Sequence, residues 1–245
     1  MVEELARLGV GPGAVIMVHS SLKAFGIADL TPETVIGALR RAVGESGTVL
    51  MPALSYEQEP PDIHETLRTR SNVGVIPETF RLREGTIRSV HPTHSVCGAG
   101  PLAESLLAAH EDDSTPCGPH SPFRRILDLD AKIVMLGCGL RPNTTMHAVE
   151  ELAPPPYLFG DELVYTITPP DGIPYEKTYR THGFDGWIQR YDRIADLDDG
   201  SLLVSGHVLD GPVQVIDTRT LKRLARAVLR RRPLHFVDRS DGGSG

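Results

Sequence analysis

Three short apolar runs, at residues 14–19, 47–52 and 132–137, are built mainly from Val, Ile, Leu and Met with little polar alternation. That pattern predicts strands buried on both faces, the form parallel strands take in α/β proteins. Between the runs the spacing turns helical. Thr31-Pro32-Glu33 places a hydroxyl at the N-cap, proline at N1 and an acid in the first turn, so a helix should run to Val43 and stop at Gly44. Further helices are predicted over residues 2–8, 75–82, 102–109 and 123–127, the last with Ser121 as N-cap and Pro122 at N1. After 132–137 another helix should open at Asn143-Thr144-Thr145, capped by one of the two threonines, and end at Pro154-Pro155-Pro156.

Beyond that point the pattern changes. Residues 163–168, 177–181 and 202–207 read as strands of a smaller, more antiparallel part, and 184–194 as a helix around the only tryptophan, Trp187. Residues 218–232 give a basic amphipathic helix with Leu221, Leu224, Ala225, Val228 and Leu229 on one stripe. Strand, helix and strand in succession predict α/β layers. No linker or repeat interrupts them, so one domain is expected over 1–240, with 241–245 a flexible glycine-rich tail.

Composition narrows the function classes. The chain has 245 residues, 40% hydrophobic and 23% charged, enough to bury a full core without disulfides. Its three cysteines, Cys97, Cys117 and Cys138, are widely spaced with no C-x-x-C pair, which favours a reduced, cytoplasmic protein. No apolar run has the length of a membrane span. Glu3 and Glu4 make the N-terminus an amphipathic helix rather than a signal peptide. A net charge of −7 argues against nucleic acid and leans toward a neutral or cationic small molecule. Monomer and homodimer both stay open.

Candidate chemistry concentrates in a few stretches. His147 and Glu150 are three apart at a helix start, so both point from one face. A carboxylate beside an imidazole fixes its tautomer and raises its basicity, as a general base requires; the plain alternative is a surface histidine with a solvated acid. His19-Ser20-Ser21-Leu22-Lys23-Ala24-Phe25-Gly26 follows the first strand at its C-terminal end, where α/β proteins bind ligands, although a simple turn has the same composition. His91 and His94 have the spacing of half a metal site. Pro92 between them disfavours a helix, so the rings need not converge. Residues 57–65 form an acidic stretch with His64, either a lining for a cationic substrate or a solvated loop.

Several of these stretches together resemble the aminoglycoside 3-N-acetyltransferase, or antibiotic N-acetyltransferase, family. They are V-H-S-S-L-K-A-F-G at 18–26, G-T-V-L-M-P at 47–52, N-V-G-V-I-P-E-T-F-R at 72–81, R-S-V-H-P-T-H-S-V at 88–96, S-P-F at 121–123, and G-C-G then N-T-T-M-H-A-V-E within 137–150. They stand in family order over about the first 153 residues, while the C-terminal third matches loosely. The resemblance implies a three-layer α/β/α fold with a mixed central sheet and a smaller antiparallel C-terminal part, unlike the GNAT acetyltransferases. It implies acetyl-coenzyme A as donor, the 3-amino group of an aminoglycoside as acceptor, and no metal. Carried over residue by residue, it puts His19, Ser20, Ser21, Leu22, Lys23, Phe25, Arg88 and Ser95 around the coenzyme, with Lys23 and Arg88 toward its phosphates. His147 becomes the catalytic base, with Glu150 beside it.

The family's longer acidic insert is missing here, so Glu57, Asp185 and the acids of 192–199 would have to meet the substrate. His120 stands where many relatives have a small residue and is a candidate second active-site histidine. Three alternatives remain: an acetyltransferase for a different amine, a zinc hydrolase using His91, His94 and His147, or a non-catalytic coenzyme A-binding module.

Overall fold

The computed structural model describes residues 1–240. In chain order the elements are α1 (Val2–Arg7), β1 (Val15–Ser20), α2 (Pro32–Val43), β2 (Thr48–Pro52), β3 (Ile63–Glu65), α3 (Val75–Leu82), β4 (Ile87–Arg88), β5 (Val96–Ala99), α4 (Ala103–Leu107) and α5 (Pro122–Arg125). They continue with β6 (Ala131–Leu136), α6 (Thr145–Glu151), β7 (Phe159–Thr168), β8 (Tyr175–His182), β9 (Trp187–Gln189), β10 (Leu203–Val208), β11 (Gly211–Asp217), α7 (Thr218–Arg231) and β12 (Val237–Arg239).

Seven strands form one mixed sheet in the order β10-β11-β6-β1-β2-β5-β4. Its centre is the three apolar runs: β1 lies parallel to both β2 and β6, and the outer pairings are antiparallel. Because strand side chains alternate, each run feeds two cores. Ile16, Val18, Val49, Met51, Val134 and Leu136 pack with apolar residues of α1, α2 and α3. Val15, Met17, Leu50, Ile133 and Met135 pack with those of α4, α5, α6 and α7. Strands buried on both sides have no place for polar alternation, which is why the runs read as continuous.

Helix α2 forms as its sequence dictates. The Thr31 hydroxyl accepts from the Thr34 N–H at 3.2 Å, Pro32 sits in the first turn, and Gly44 ends the helix at φ +66°. Its inner face buries Val35, Ile36, Leu39, Ala42 and Val43, and each large side chain there contributes about 1.5–3 kcal/mol.

Four expectations need correction. Residues 202–207 do not join the smaller part: β10 pairs with β11, and β11 lies against β6, so both extend the main sheet. Residues 184–194 are not an α-helix. Phe184 at φ +58° and Gly186 at φ +75° break helical geometry, Trp187–Gln189 pairs with β12, and a 3₁₀ helix covers Tyr191–Leu197. The acidic stretch 57–65 ends in a strand, β3, parallel to β7. The Ser121 hydroxyl caps nothing; its backbone carbonyl accepts from Arg124 and Arg125 instead. Residues 163–168 and 177–181 do pair antiparallel, within β7 and β8. The tail at 241–245 lies outside the described residues. Among the described residues no helix is long and apolar enough to cross a membrane.

Candidate active site

The parallel strands β1 and β6 end together, and a cleft of about 530 Å³ opens there, within the size range of small-molecule sites. His19 and Ser20 reach it from the end of β1, Cys138 from just past β6, and Thr144 and His147 from the start of α6. His94, His182, Phe184, Gln189 and Tyr191 complete the wall on the other side. Gly137, at φ +76°, makes the close approach possible: a Cβ there would fall 2.8 Å from Ala24 Cβ and 3.0 Å from the Ser21 carbonyl oxygen. The turn after β1 therefore rests directly on the end of β6.

The cap of α6 differs from expectation. Neither Thr144 nor Thr145 makes a side-chain cap; Thr144 already has helical angles. Asn143 takes the role, its Oδ1 accepting from the Thr145 N–H at 3.2 Å. This start places His147 in the first turns of α6 facing the cleft, with Glu150 behind it and fully buried.

His147 and Glu150 do meet, but loosely, at 3.4 Å between Nδ1 and Oε2. Tyr191 makes the shorter contacts, 2.9 Å from its hydroxyl to His147 Nδ1 and 2.7 Å as donor to Glu150 Oε2. A tyrosine has one proton to give. With it committed to Glu150, the Tyr191 oxygen accepts from His147 Nδ1–H, and the lone pair of His147 is left on Nε2. Tyr157 donates to the other oxygen of Glu150 at 2.6 Å. Burial, then the charge of Glu150, drives the Tyr157 and Tyr191 hydroxyls far above the usual phenol range, so both stay donors.

A second pair stands beside the first. His182 Nε2 lies 2.8 Å from Glu151 Oε1, and Glu151 also accepts from the Cys117 N–H at 2.8 Å and the Thr115 hydroxyl at 2.6 Å. Burial raises the Glu151 carboxyl and pushes the His182 imidazole well below its usual value, His147 adding to the latter. His94 Nδ1 contacts the Thr93 hydroxyl at 2.9 Å, and burial, then His182, holds it low. The ring centroids of His147 and His182 are 4.9 Å apart, those of His94 and His182 5.4 Å.

The other predicted residues divide. His19 Nε2 and Ser20 Oγ are buried, without a partner, in the wall of the cleft. Burial, then His147, lowers the His19 pKa to about 3, so its ring is neutral. Ser21 donates its N–H to the Leu136 carbonyl, Leu22 is half-buried against the core, Lys23 is exposed, and Phe25 is buried among core residues. Arg88 and Ser95 face one another, Nε to Oγ at 2.7 Å, and the remaining guanidinium bonds go to the carbonyls of Ala53, Thr66 and Thr69. Arg88 thus clamps two loops, the one after β2 and the one between β3 and α3, and does not line the cleft. Glu57 lines an adjoining cavity of about 600 Å³ with Asp62 and Arg70. Asp185 is exposed in the turn before β9. His120 bonds Asp113 through both its ring and its backbone N–H and lies away from the cleft.

His91 also stays out. Its Nδ1 accepts from the backbone N–H groups of Thr93 and His94, and its ring lies against His110. The histidine that converges with His94 and His147 is His182. Sequence reasoning missed both His182 and Tyr191. They follow His147 by 35 and 44 positions, and no local spacing links them to it.

Comparisons with known proteins point one way. A family model described as aminoglycoside 3-N-acetyltransferase matches residues 17–230. Aminoglycoside N(3)-acetyltransferase IV from Salmonella sp is 34% identical over 248 residues, covering 99% of this chain and 91% of the relative. Aminoglycoside N(3)-acetyltransferase VII from Streptomyces paromomycinus is 31% identical, covering 86% and 75%. Among solved structures, AAC-IIIb in a binary complex with CoASH superposes with a TM-score of 0.82 at 27% identity, covering 94% of this chain and 95% of that one. A histidine-to-alanine mutant of AAC(3)-IVa in complex with a gentamicin gives 0.82 at 31% identity, covering 96% and 88%. A mixed α/β fold, a cleft at the ends of its parallel strands and these matches along nearly the whole chain agree, and the protein belongs to the aminoglycoside 3-N-acetyltransferase family.

Proposed function

We propose that the protein is an N-acetyltransferase that moves an acetyl group from acetyl-coenzyme A to the 3-amino group of an aminoglycoside, with His147 as general base. The observation that carries this reading is the Glu150–Tyr191–His147 chain, which leaves a lone pair on an imidazole nitrogen facing a cleft of about 530 Å³. An alkyl amine with a pKa near ~10 is mostly protonated at pH 7 and cannot attack a carbonyl. His147 Nε2 accepts the proton as the nitrogen becomes nucleophilic. Glu150, through Tyr191, holds the ring in the required tautomer and stabilises the imidazolium.

The coenzyme, when bound, supplies the acetyl group as a thioester. The cleft fits such a ligand: Ser20 Oγ and the neutral His19 Nε2 are buried polar atoms that lack protein partners, and a coenzyme arm is rich in amide and carbonyl groups. With the Ser21 N–H taken by the Leu136 carbonyl, the backbone N–H groups of Leu22 and Lys23 are the candidate donors to the oxygen that gains charge. Lys23, exposed in the turn after β1, is a candidate cation for the coenzyme phosphates. Arg88 shapes the site through the loops it joins. The cleft lining contains no carboxylate, so Glu57 and Asp62 in the adjoining cavity are the candidate contacts for a polycationic substrate. Packing of separate hydrophobic clusters on the two sheet faces supports a three-layer fold distinct from GNAT.

A thiol-release assay with acetyl-coenzyme A, run across a panel of aminoglycosides and simple amines, tests the reading. Thiol release with aminoglycosides, and a product carrying acetyl on the 3-amino nitrogen by NMR, is expected. Release with none of the panel would remove the proposal.

A further inference from the structure

Three imidazoles meet in the cleft, and acetyl transfer as proposed uses one. One ring nitrogen from each of His94, His147 and His182 lies within 4.8 Å of the others. We infer that these three histidines form a binding site for a late first-row divalent cation, zinc or cobalt in class, with one coordination position open to the cleft.

The arrangement behind the rings carries the inference. A histidine that binds such a metal holds its second nitrogen against an acceptor, which fixes the tautomer and aims the free lone pair. All three rings do this. His94 Nδ1 is held by the Thr93 hydroxyl at 2.9 Å, His147 Nδ1 by Tyr191 at 2.9 Å, and His182 Nε2 by Glu151 at 2.8 Å. The nitrogens left over are Nε2 of His94, Nε2 of His147 and Nδ1 of His182. That last atom is buried with no partner, and its side chain is only 4% exposed. Burial keeps His94 and His182 in the neutral, ligating form.

Three imidazoles with no thiolate suit zinc, cobalt or copper over magnesium or calcium, and three protein ligands with an open fourth position match catalytic-type zinc sites. Glu150 and Glu151 stand behind the rings as counter-charges. Metal–nitrogen bonds of about 2.0–2.1 Å put ligand nitrogens roughly 3.3 Å apart, so the rings must close by about 1.5 Å at most from the 4.8 Å bound. A bound cation occupies the His147 lone pair. If His147 is the base proposed above, metal occupancy and acetyl transfer exclude one another.

The test titrates chelator-treated full-length protein with cobalt(II). One equivalent per chain, with the strong visible absorption of four-coordinate cobalt, is expected. His94→Gln and His182→Gln should each weaken binding by at least 10-fold, and Glu151→Gln by about 10–100-fold as an outer partner of a ligand. X-ray absorption on the zinc form of the unmutated protein should give three imidazole nitrogens, which keeps the test valid if a variant misfolds. No absorption at millimolar cobalt, binding unchanged in both histidine variants, or fewer than three imidazoles on zinc would each overturn the site. Thiol release is read separately. Acetylation that persists with no cobalt bound at any concentration sinks the site and leaves the enzyme reading intact. Cobalt binding without thiol release from any amine supports the site and removes the enzyme reading.

Discussion

Two histidine–carboxylate pairs hang from neighbouring residues of one helix, and they are built in opposite ways. Glu150 reaches a histidine three positions back in its own helix, at a loose 3.4 Å, and needs Tyr191 to complete the connection. Glu151 reaches His182 on a distant strand at 2.8 Å with no intermediary. Glu150 is otherwise satisfied by a second tyrosine, Tyr157, whereas Glu151 is satisfied by a loop, Thr115 and the Cys117 N–H. In the local pair the imidazole ring is aimed by a remote hydroxyl, that of Tyr191. The remote pair ties α6 to β8 and the 115–117 loop. Adjacent acids on one helix point to different sides, so one sits behind the ring that faces the cleft while the other joins the elements around it.

Substitutions of the ring and its acid probe the contrast most strongly. His147→Ala should lower kcat/KM for acetyl transfer by about 10²–10⁴, roughly 3–5 kcal/mol of transition-state stabilisation. Near-normal turnover would take the first pair out of the chemistry. Glu150→Ala strands the hydroxyls of Tyr157 and Tyr191, and Glu151→Ala strands the Thr115 hydroxyl, the Cys117 N–H and His182 Nε2. Each orphaned group costs about 1–3 kcal/mol, so both variants should lose at least about 2 kcal/mol in denaturant unfolding. A neutral outcome at Glu151 would show that the remote pair is not a tie.

Acid probes the remote pair and its surroundings together. Burial depresses His94 and His182, holds His19, His64 and His110 at about 3, and keeps His91 well below its usual value. The unfolded chain takes up protons near pH 6.5 while these folded rings do not. Stability is therefore complete above about pH 6.5 and falls as pH drops toward 3, by up to about 1.4 kcal/mol per pH unit for each histidine. Melting temperatures recorded from pH 7.5 to 5 should fall steeply below 6.5, and a flat profile would contradict the burial of these rings. The smallest effect isolates the intermediary of the first pair. Tyr191→Phe removes one hydroxyl and should lower kcat by about 5–30-fold, roughly 1–2 kcal/mol, with the fold intact by circular dichroism.

Much of this was legible in the chain. The strands β1, β2 and β6 were visible because burial on both faces demands unbroken apolar residues. Helix α2 carried its own start and stop in Thr31, Pro32 and Gly44. His147 with Glu150 was visible because helix spacing makes i and i+3 neighbours. The misreadings share a cause. Residues 184–194 have helix-like composition, but Phe184 and Gly186 take positive φ so that Trp187–Gln189 can pair with β12. Arg88 looks like a phosphate ligand, but folding surrounds it with the carbonyls of two loops, Ala53 in one and Thr66 with Thr69 in the other. His120 looks like a site histidine, but Asp113 claims it.

By itself the sequence determined periodicity, caps and neighbours within one turn, because those depend on side chains a few residues apart. It set the central sheet, the helix bearing His147 and the family pattern. Only the tertiary structure decided which remote groups complete the site: Tyr191 between His147 and Glu150, His182 in place of His91, and Arg88 as a clamp. Those contacts depend on how β8, the 3₁₀ helix from Tyr191 and α6 pack against one another, and such packing is a property of the whole folded chain that no short spacing records.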